Sequence, residues 1–186
     1  VNSPNNPTGT VYTAETIRAV GQLLTRKGEE YGHPIYILAD EPYRELVYGG
    51  GEVPFIPNLY DNTIVCYSYS KSLSLPGERI GYICVPDRAA GSQELYAAVA
   101  GAARAGGHVC APSLWQKVIA RCAHLRPDLA AYDRNRKALQ ESLTEMGYRM
   151  ASPDGAFYLF IQAPNGDDLA FSEMAKKKNL LLVPGT

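Results

Sequence analysis

Continuous apolar runs occupy Ile35-Tyr36-Ile37-Leu38-Ala39, Thr63-Ile64-Val65-Cys66-Tyr67 and Ile80-Gly81-Tyr82-Ile83-Cys84-Val85. Short β-branched and aromatic runs of this kind predict buried strands, and the first suits a parallel sheet covered on both faces. A different spacing precedes them. Ile17, Val20, Leu23 and Leu24 recur on one helical face behind Thr13, a residue suited to cap a helix that fades before Gly28. After Val85 the Ala-rich stretch from Arg88 to Arg104 reads as a helix weakened by Gly91 and Gly101, and Gly106-Gly107 breaks it. Pro112 suits the first turn of another helix, with Leu114, Trp115, Val118, Ile119 and Cys122 apolar and Trp115 in the core. Asp128 opens a longer one, with Leu129, Tyr132, Leu139 and Leu143 facing inward and Gly147 ending it.

From Tyr148 the pattern changes. Tyr148 to Met150 and Ala156 to Ile161 read as antiparallel strands around a turn at Pro153-Asp154-Gly155. A helix near Phe171 to Lys178 and a terminal strand at Leu180 follow, with Lys176 to Lys178 as its solvated end. Strands alternating with helices, then a smaller mixed segment, predict an α/β protein with a small α+β unit at the end.

Composition changes this picture little. The chain has 186 residues, 46% hydrophobic and 20% charged, which is ordinary for a globular protein with a full core. A net charge of -1 supplies no basic field for nucleic acid. No apolar run approaches the ~18 residues of a membrane span, and no signal peptide is visible, so a cytoplasmic location is expected. Cys66, Cys84, Cys110 and Cys122 lack a CxxC pair and are expected as buried free thiols. His33, His108 and His124 lack metal-ligand spacing, so no metal is expected, and a G-x-S-x-G elbow is absent. The chain opens on Val1 and closes on Pro184-Gly185-Thr186, both of which read as cut ends of a longer polypeptide.

The candidate chemistry sits in the connections. Ser68-Tyr69-Ser70-Lys71-Ser72 and Arg79 lie between two apolar strands, with Pro76-Gly77 to turn the chain. Hydroxyls and a guanidinium at a strand end suit a phosphate, and a lysine braced among them can serve as an amine nucleophile. Asp40 ends the Ile35 strand, where ligands of open α/β sheets sit, and its carboxylate can pair with a cationic ligand nitrogen. Neighbouring Glu41 points to the opposite side of the extended chain. Val1 to Thr10 is a Pro/Asn/Gly-rich loop, and Tyr48 to Gly51 reads as a linker without P-loop spacing.

Taken together, Asn5-Asn6-Pro7-Thr8-Gly9, Asp40-Glu41-Pro42-Tyr43 and Ser68-Tyr69-Ser70-Lys71 with Arg79 resemble, in order and spacing, the class I aminotransferases of the fold-type I, pyridoxal 5'-phosphate superfamily, in its aspartate aminotransferase-like branch. The resemblance runs from Val1 to Thr186. It implies part of a mostly parallel α/β/α large domain over residues 1–127, then a linking helix and partial small α+β domain over residues 128–186. It further implies that Lys71 holds the cofactor as a Schiff base and then shuttles the substrate proton. Asp40 resembles the aspartate facing the pyridinium nitrogen, and Tyr43 and Asn6 resemble the groups that hydrogen-bond the phenolic oxygen. Ser68, Ser70 and Arg79 look like phosphate ligands. The implied activity is amino transfer between an α-amino acid and a 2-keto acid in a homodimer. The substrate-carboxylate arginine, a glycine-rich phosphate loop and a ring-stacking aromatic would lie outside Val1–Thr186, so the isolated chain is expected to be inactive or weak. Two rivals remain open: another fold-type I reaction such as β-elimination or decarboxylation, and a non-catalytic sensor domain of a transcription regulator.

Overall fold

A computed structural model describes residues 1–185; Thr186, the last residue of the expected small unit, lies outside them. Helix α1 (Ala14–Tyr31) starts where Thr13 accepts a hydrogen bond from the Thr16 amide at 3.1 Å. It runs through Gly28 rather than fading before it, and ends at Gly32 in the left-handed conformation. The glycine cost within a helix, about 1 kcal/mol against alanine, is offset by burial of Ile17 and Gly21 against Tyr60 and the sheet.

Strands β1 (Ile37–Asp40), β2 (Thr63–Ser68) and β3 (Gly81–Cys84) form one sheet in the order β1-β2-β3. β1 and β2 are parallel; β2 and β3 are antiparallel, joined by the link of residues 69–80. That link contains the single-turn helix α2 (Tyr69–Ser72). Asn2 adds a parallel bridge to Asp40 on the other side of the sheet. Ile17, Ile37, Ala39, Ile56, Tyr60 and Val65 make the main core. Covering is one-sided: Ile37 and Ala39 are buried, whereas Leu38 is 59% exposed, so the continuous run at β1 does not mark a strand packed on both faces within the described residues.

Helices α3 (Ser92–Ala105), α4 (Ser113–Cys122), α5 (Leu129–Glu145) and α6 (Asp168–Lys176) follow. Asp128 caps α5 through the Ala131 amide at 2.9 Å, as its position predicted. Leu139 is exposed rather than inward-facing, Trp115 is half-buried, and neither α3 nor α5 buries a residue. The four thiols are free, with Cys110 exposed and the others half-buried rather than buried. The expected antiparallel pair after Tyr148 reduces, among the described residues, to one bridge between Met150 and Ile161, and the chain from Leu180 makes no ladder. No helix among the described residues is long and apolar enough to cross a membrane.

Backbone hydrogen bonds clasp three distant segments together. Gly9 O accepts from the Asp154 and Gly155 amides, Asp154 O accepts from Tyr48, and Leu46 O accepts from Ala156 at 2.8 Å. The clasp sets a second core of Tyr43, Leu46 and Ala156, with Leu129, Tyr132 and Tyr158 packed on it.

Candidate active site

The register of the sheet aligns Asp40 with Cys66 and Cys66 with Ile83, and all three line one cavity of about 860 Å³. Its size lies in the usual range for small-molecule sites. Ser68 and Arg79 share it, and Tyr96, Val99 and Ala103 of α3 line it as well. Asp40, Ser68 and Arg79 therefore meet at the ends of parallel β1 and β2, as ligand-binding α/β sheets place such groups.

Locally, Ser68 caps α2 by accepting from the Ser70 amide at 3.2 Å, and its hydroxyl donates to Ser70 Oγ at 2.8 Å. Two adjoining hydroxyls on a turn of this shape are ready acceptor-donor partners for an anion's oxygens. Arg79 sits at φ 51 and donates to Pro76 O at 2.7 Å, which holds the guanidinium stem against the turn. Gly81 must remain small: a Cβ there would collide with Tyr67 O. Tyr67 stacks on Tyr82 at 5.0 Å and donates to Ser72 Oγ at 2.8 Å, which braces the turn bearing Lys71. Burial pushes the Tyr67 hydroxyl well above the usual phenol range, so it stays a neutral donor.

A hydrogen-bonded chain leads from the acid to the tyrosines. Asn2 Nδ2 donates to Asp40 Oδ2 at 3.1 Å, and Asn2 Oδ1 accepts from the Asn6 amide at 2.6 Å. Asn6 Nδ2 donates to Tyr43 Oη at 3.4 Å, and Tyr43 Oη pairs with Tyr158 Oη at 2.6 Å. Desolvation first, then the Tyr158 hydroxyl, raises the Tyr43 phenol far above its ordinary value. Lys71 Nζ lies 5.2 Å from the Phe157 ring, and that ring meets Tyr43 edge-on at 5.7 Å. The sequence-predicted residues thus fall in two adjoining groups. Asp40, Ser68 and Arg79 line the cavity, while Asn6, Tyr43 and Lys71 gather at the aromatic cluster and Ser70 links through Ser68.

Asn2, Phe157 and Tyr158 were missed by the sequence reading. The first belongs to a loop read only as a turn, and the others to a run read only as a strand. Among the described residues no cluster of His, Cys, Asp and Glu could hold a metal ion. The donor set instead suits pyridoxal phosphate: hydroxyls and a guanidinium for its phosphate, a carboxylate for its ring nitrogen, a phenol for its phenolic oxygen and an amine for its aldehyde.

This α/β arrangement is that of part of the large domain of fold-type I transferases. The profile of the family described as "Aminotransferase class I and II" matches residues 1–186, and the chain belongs to that family. Aspartate aminotransferase-like members of this class use pyridoxal phosphate. The chain is 29% identical over 191 residues to the aspartate aminotransferase of Thermotoga maritima, covering 100% of this chain and 47% of the relative. It is 31% identical to the aspartate/prephenate aminotransferase of Thermus thermophilus, covering 100% of this chain and 48% of the relative. The crystal structure of an amino transferase from Eubacterium rectale superposes with a TM-score of 0.93 at 58% identity, over 98% of this chain and 46% of that one. The chain spans about half the length of the curated relatives it matches.

Proposed function

We propose that this chain supplies the cofactor-holding half of a pyridoxal-phosphate-dependent aminotransferase acting between an α-amino acid and a 2-keto acid. The observation that carries the reading is the convergence of Asp40, Ser68 and Arg79 on one strand-end cavity. Ser68, Ser70 and Arg79 would hold the phosphate through charge-assisted hydrogen bonds. Asp40 would keep a proton on the ring nitrogen, with Asn2 fixing its carboxylate. Tyr43 and Asn6 would face the phenolic oxygen. Lys71 would bind the aldehyde carbon through Nζ and, once displaced by a substrate amine, carry a proton from the substrate Cα. When bound, the cofactor supplies an electron sink for the pair left by that proton.

The division at residue 128, the homodimer and a cytoplasmic setting belong to the same proposal. Leu38, left exposed on β1, offers apolar surface for a subunit contact. The test is borohydride reduction of the loaded full-length protein followed by peptide mass spectrometry. A pyridoxyl label is expected on Lys71 and is lost in Lys71→Ala; a label on another lysine in the wild type refutes the assignment.

A further inference from the structure

We propose that Tyr158 is a positioning residue for the cofactor's phenolic oxygen, acting through the hydroxyl of Tyr43; the inference rests on the reading of Tyr43 given above. Tyr43 Oη owns one proton and two lone pairs. Asn6 Nδ2 donates to one lone pair at 3.4 Å. Tyr158 Oη stands at 2.6 Å, and either oxygen of that pair can be the donor. If Tyr43 donates, its only proton is spent on Tyr158. If Tyr158 donates, Tyr43 accepts twice and its proton is left to point at a third oxygen. Rotation of one hydroxyl thus decides whether Tyr43 can donate into the site.

The surroundings hold this pair in register. The two rings meet at 81° with centroids 5.6 Å apart, so the hydroxyls cannot slide past each other without unpacking both. Ala156, two residues before Tyr158, is fully buried, and its amide donates to Leu46 O at 2.8 Å. Phe157, between them, lies 5.2 Å from Lys71 Nζ. Successive residues of one segment therefore touch the lysine and the tyrosine of the site. The ionisable groups facing Tyr43 are Asp40 and Tyr158, with Lys71 beyond the Phe157 ring. A packing role alone would be served equally well by phenylalanine, which keeps the ring and loses only the hydroxyl.

The experiment measures affinity of cofactor-free, full-length protein for pyridoxal 5'-phosphate and for 3-deoxypyridoxal 5'-phosphate, which lacks the phenolic oxygen. Tyr158→Phe is expected to weaken pyridoxal phosphate roughly 3- to 10-fold, the range of one hydrogen bond, and to leave the deoxy analogue unchanged. Tyr43→Phe is expected to show the same selectivity with a larger loss, and the double variant to match Tyr43→Phe alone. Equal weakening of both ligands by Tyr158→Phe, or none, overturns the inference while leaving Tyr43 in place. Absence of selectivity in Tyr43→Phe overturns the placement of Tyr43 on the phenolic oxygen, and the role of Tyr158 with it.

Discussion

Replacing Gly155 with alanine tests how the clasp holds the tyrosines. Gly155 is buried where the Gly9 loop, the Leu46 loop and the Pro153 turn meet. Its φ lies outside the left-handed range, so alanine brings no backbone strain of its own. Its Cβ would lie 2.5 Å from Leu46 O and 2.8 Å from Pro4 Cγ. Ordinary contact begins near 3.4 Å, so the carbonyl must retreat by about 0.9 Å. That carbonyl accepts the Ala156 amide, so the retreat also stretches the bond that seats Tyr158. Overpacking of this kind costs ~1–3 kcal/mol. Against it stands a gain of ~0.4–1 kcal/mol from the stiffer unfolded chain. A net loss of up to ~2.6 kcal/mol remains, which at ~2–4 °C per kcal/mol lowers Tm by up to ~10 °C. Gly77→Ala is the control, because nothing lies within 4 Å of its Cβ. Thermal unfolding of the two variants beside wild type decides the matter. A Gly155→Ala protein that melts no lower than Gly77→Ala would refute the account of the clasp.

Two further predictions concern charge and capping. Burial raises the Glu41 carboxyl above its unfolded value of 4.5; Arg44 opposes the shift and Glu45 adds to it. Both folded and unfolded states hold that proton below 4.5, and above the folded value the buried charge destabilises the protein in full. Glu41→Gln should therefore gain stability relative to wild type as pH rises through this window, read as urea midpoints across pH; a difference independent of pH contradicts the reasoning. Thr13→Ala removes the bond to the Thr16 amide and should cost ~1 kcal/mol in the same assay, whereas Thr13→Ser should retain most of the stability.

The strands at Ile37, Thr63 and Gly81 were legible because short β-branched runs between polar loops have few other uses. Asp40, Ser68 and Arg79 were legible for a related reason: a charge or hydroxyl at the end of an apolar run is placed by the strand itself. The chemistry of the loops, not periodicity, carried the family resemblance. What stayed hidden depends on partners far along the chain. Asn2 meets Asp40 across 38 residues and Tyr158 meets Tyr43 across 115, and no local pattern announces either. The helix beyond Gly28 was hidden because its stop is set by left-handed Gly32, with the Gly32 and His33 amides both bonded to Gly28 O, and not by Gly28 itself. The strands expected after Tyr148 rested on an apolar, aromatic run beside a Pro-Asp-Gly turn, and pairing there is limited to the Met150–Ile161 bridge within the described chain.

The joints between residues 9, 46, 48, 154, 155 and 156 rest chiefly on main-chain donors and acceptors, to which the Tyr48 hydroxyl adds a bond to Ala156 O. The main-chain fastenings do not use the side chain of Asp154, so drift there leaves them fastened, whereas proline, lacking the donor, or a side chain at Gly9 or Gly155 loosens them. Evolution can thus reshape the surface of this junction while the two phenols behind it keep their spacing.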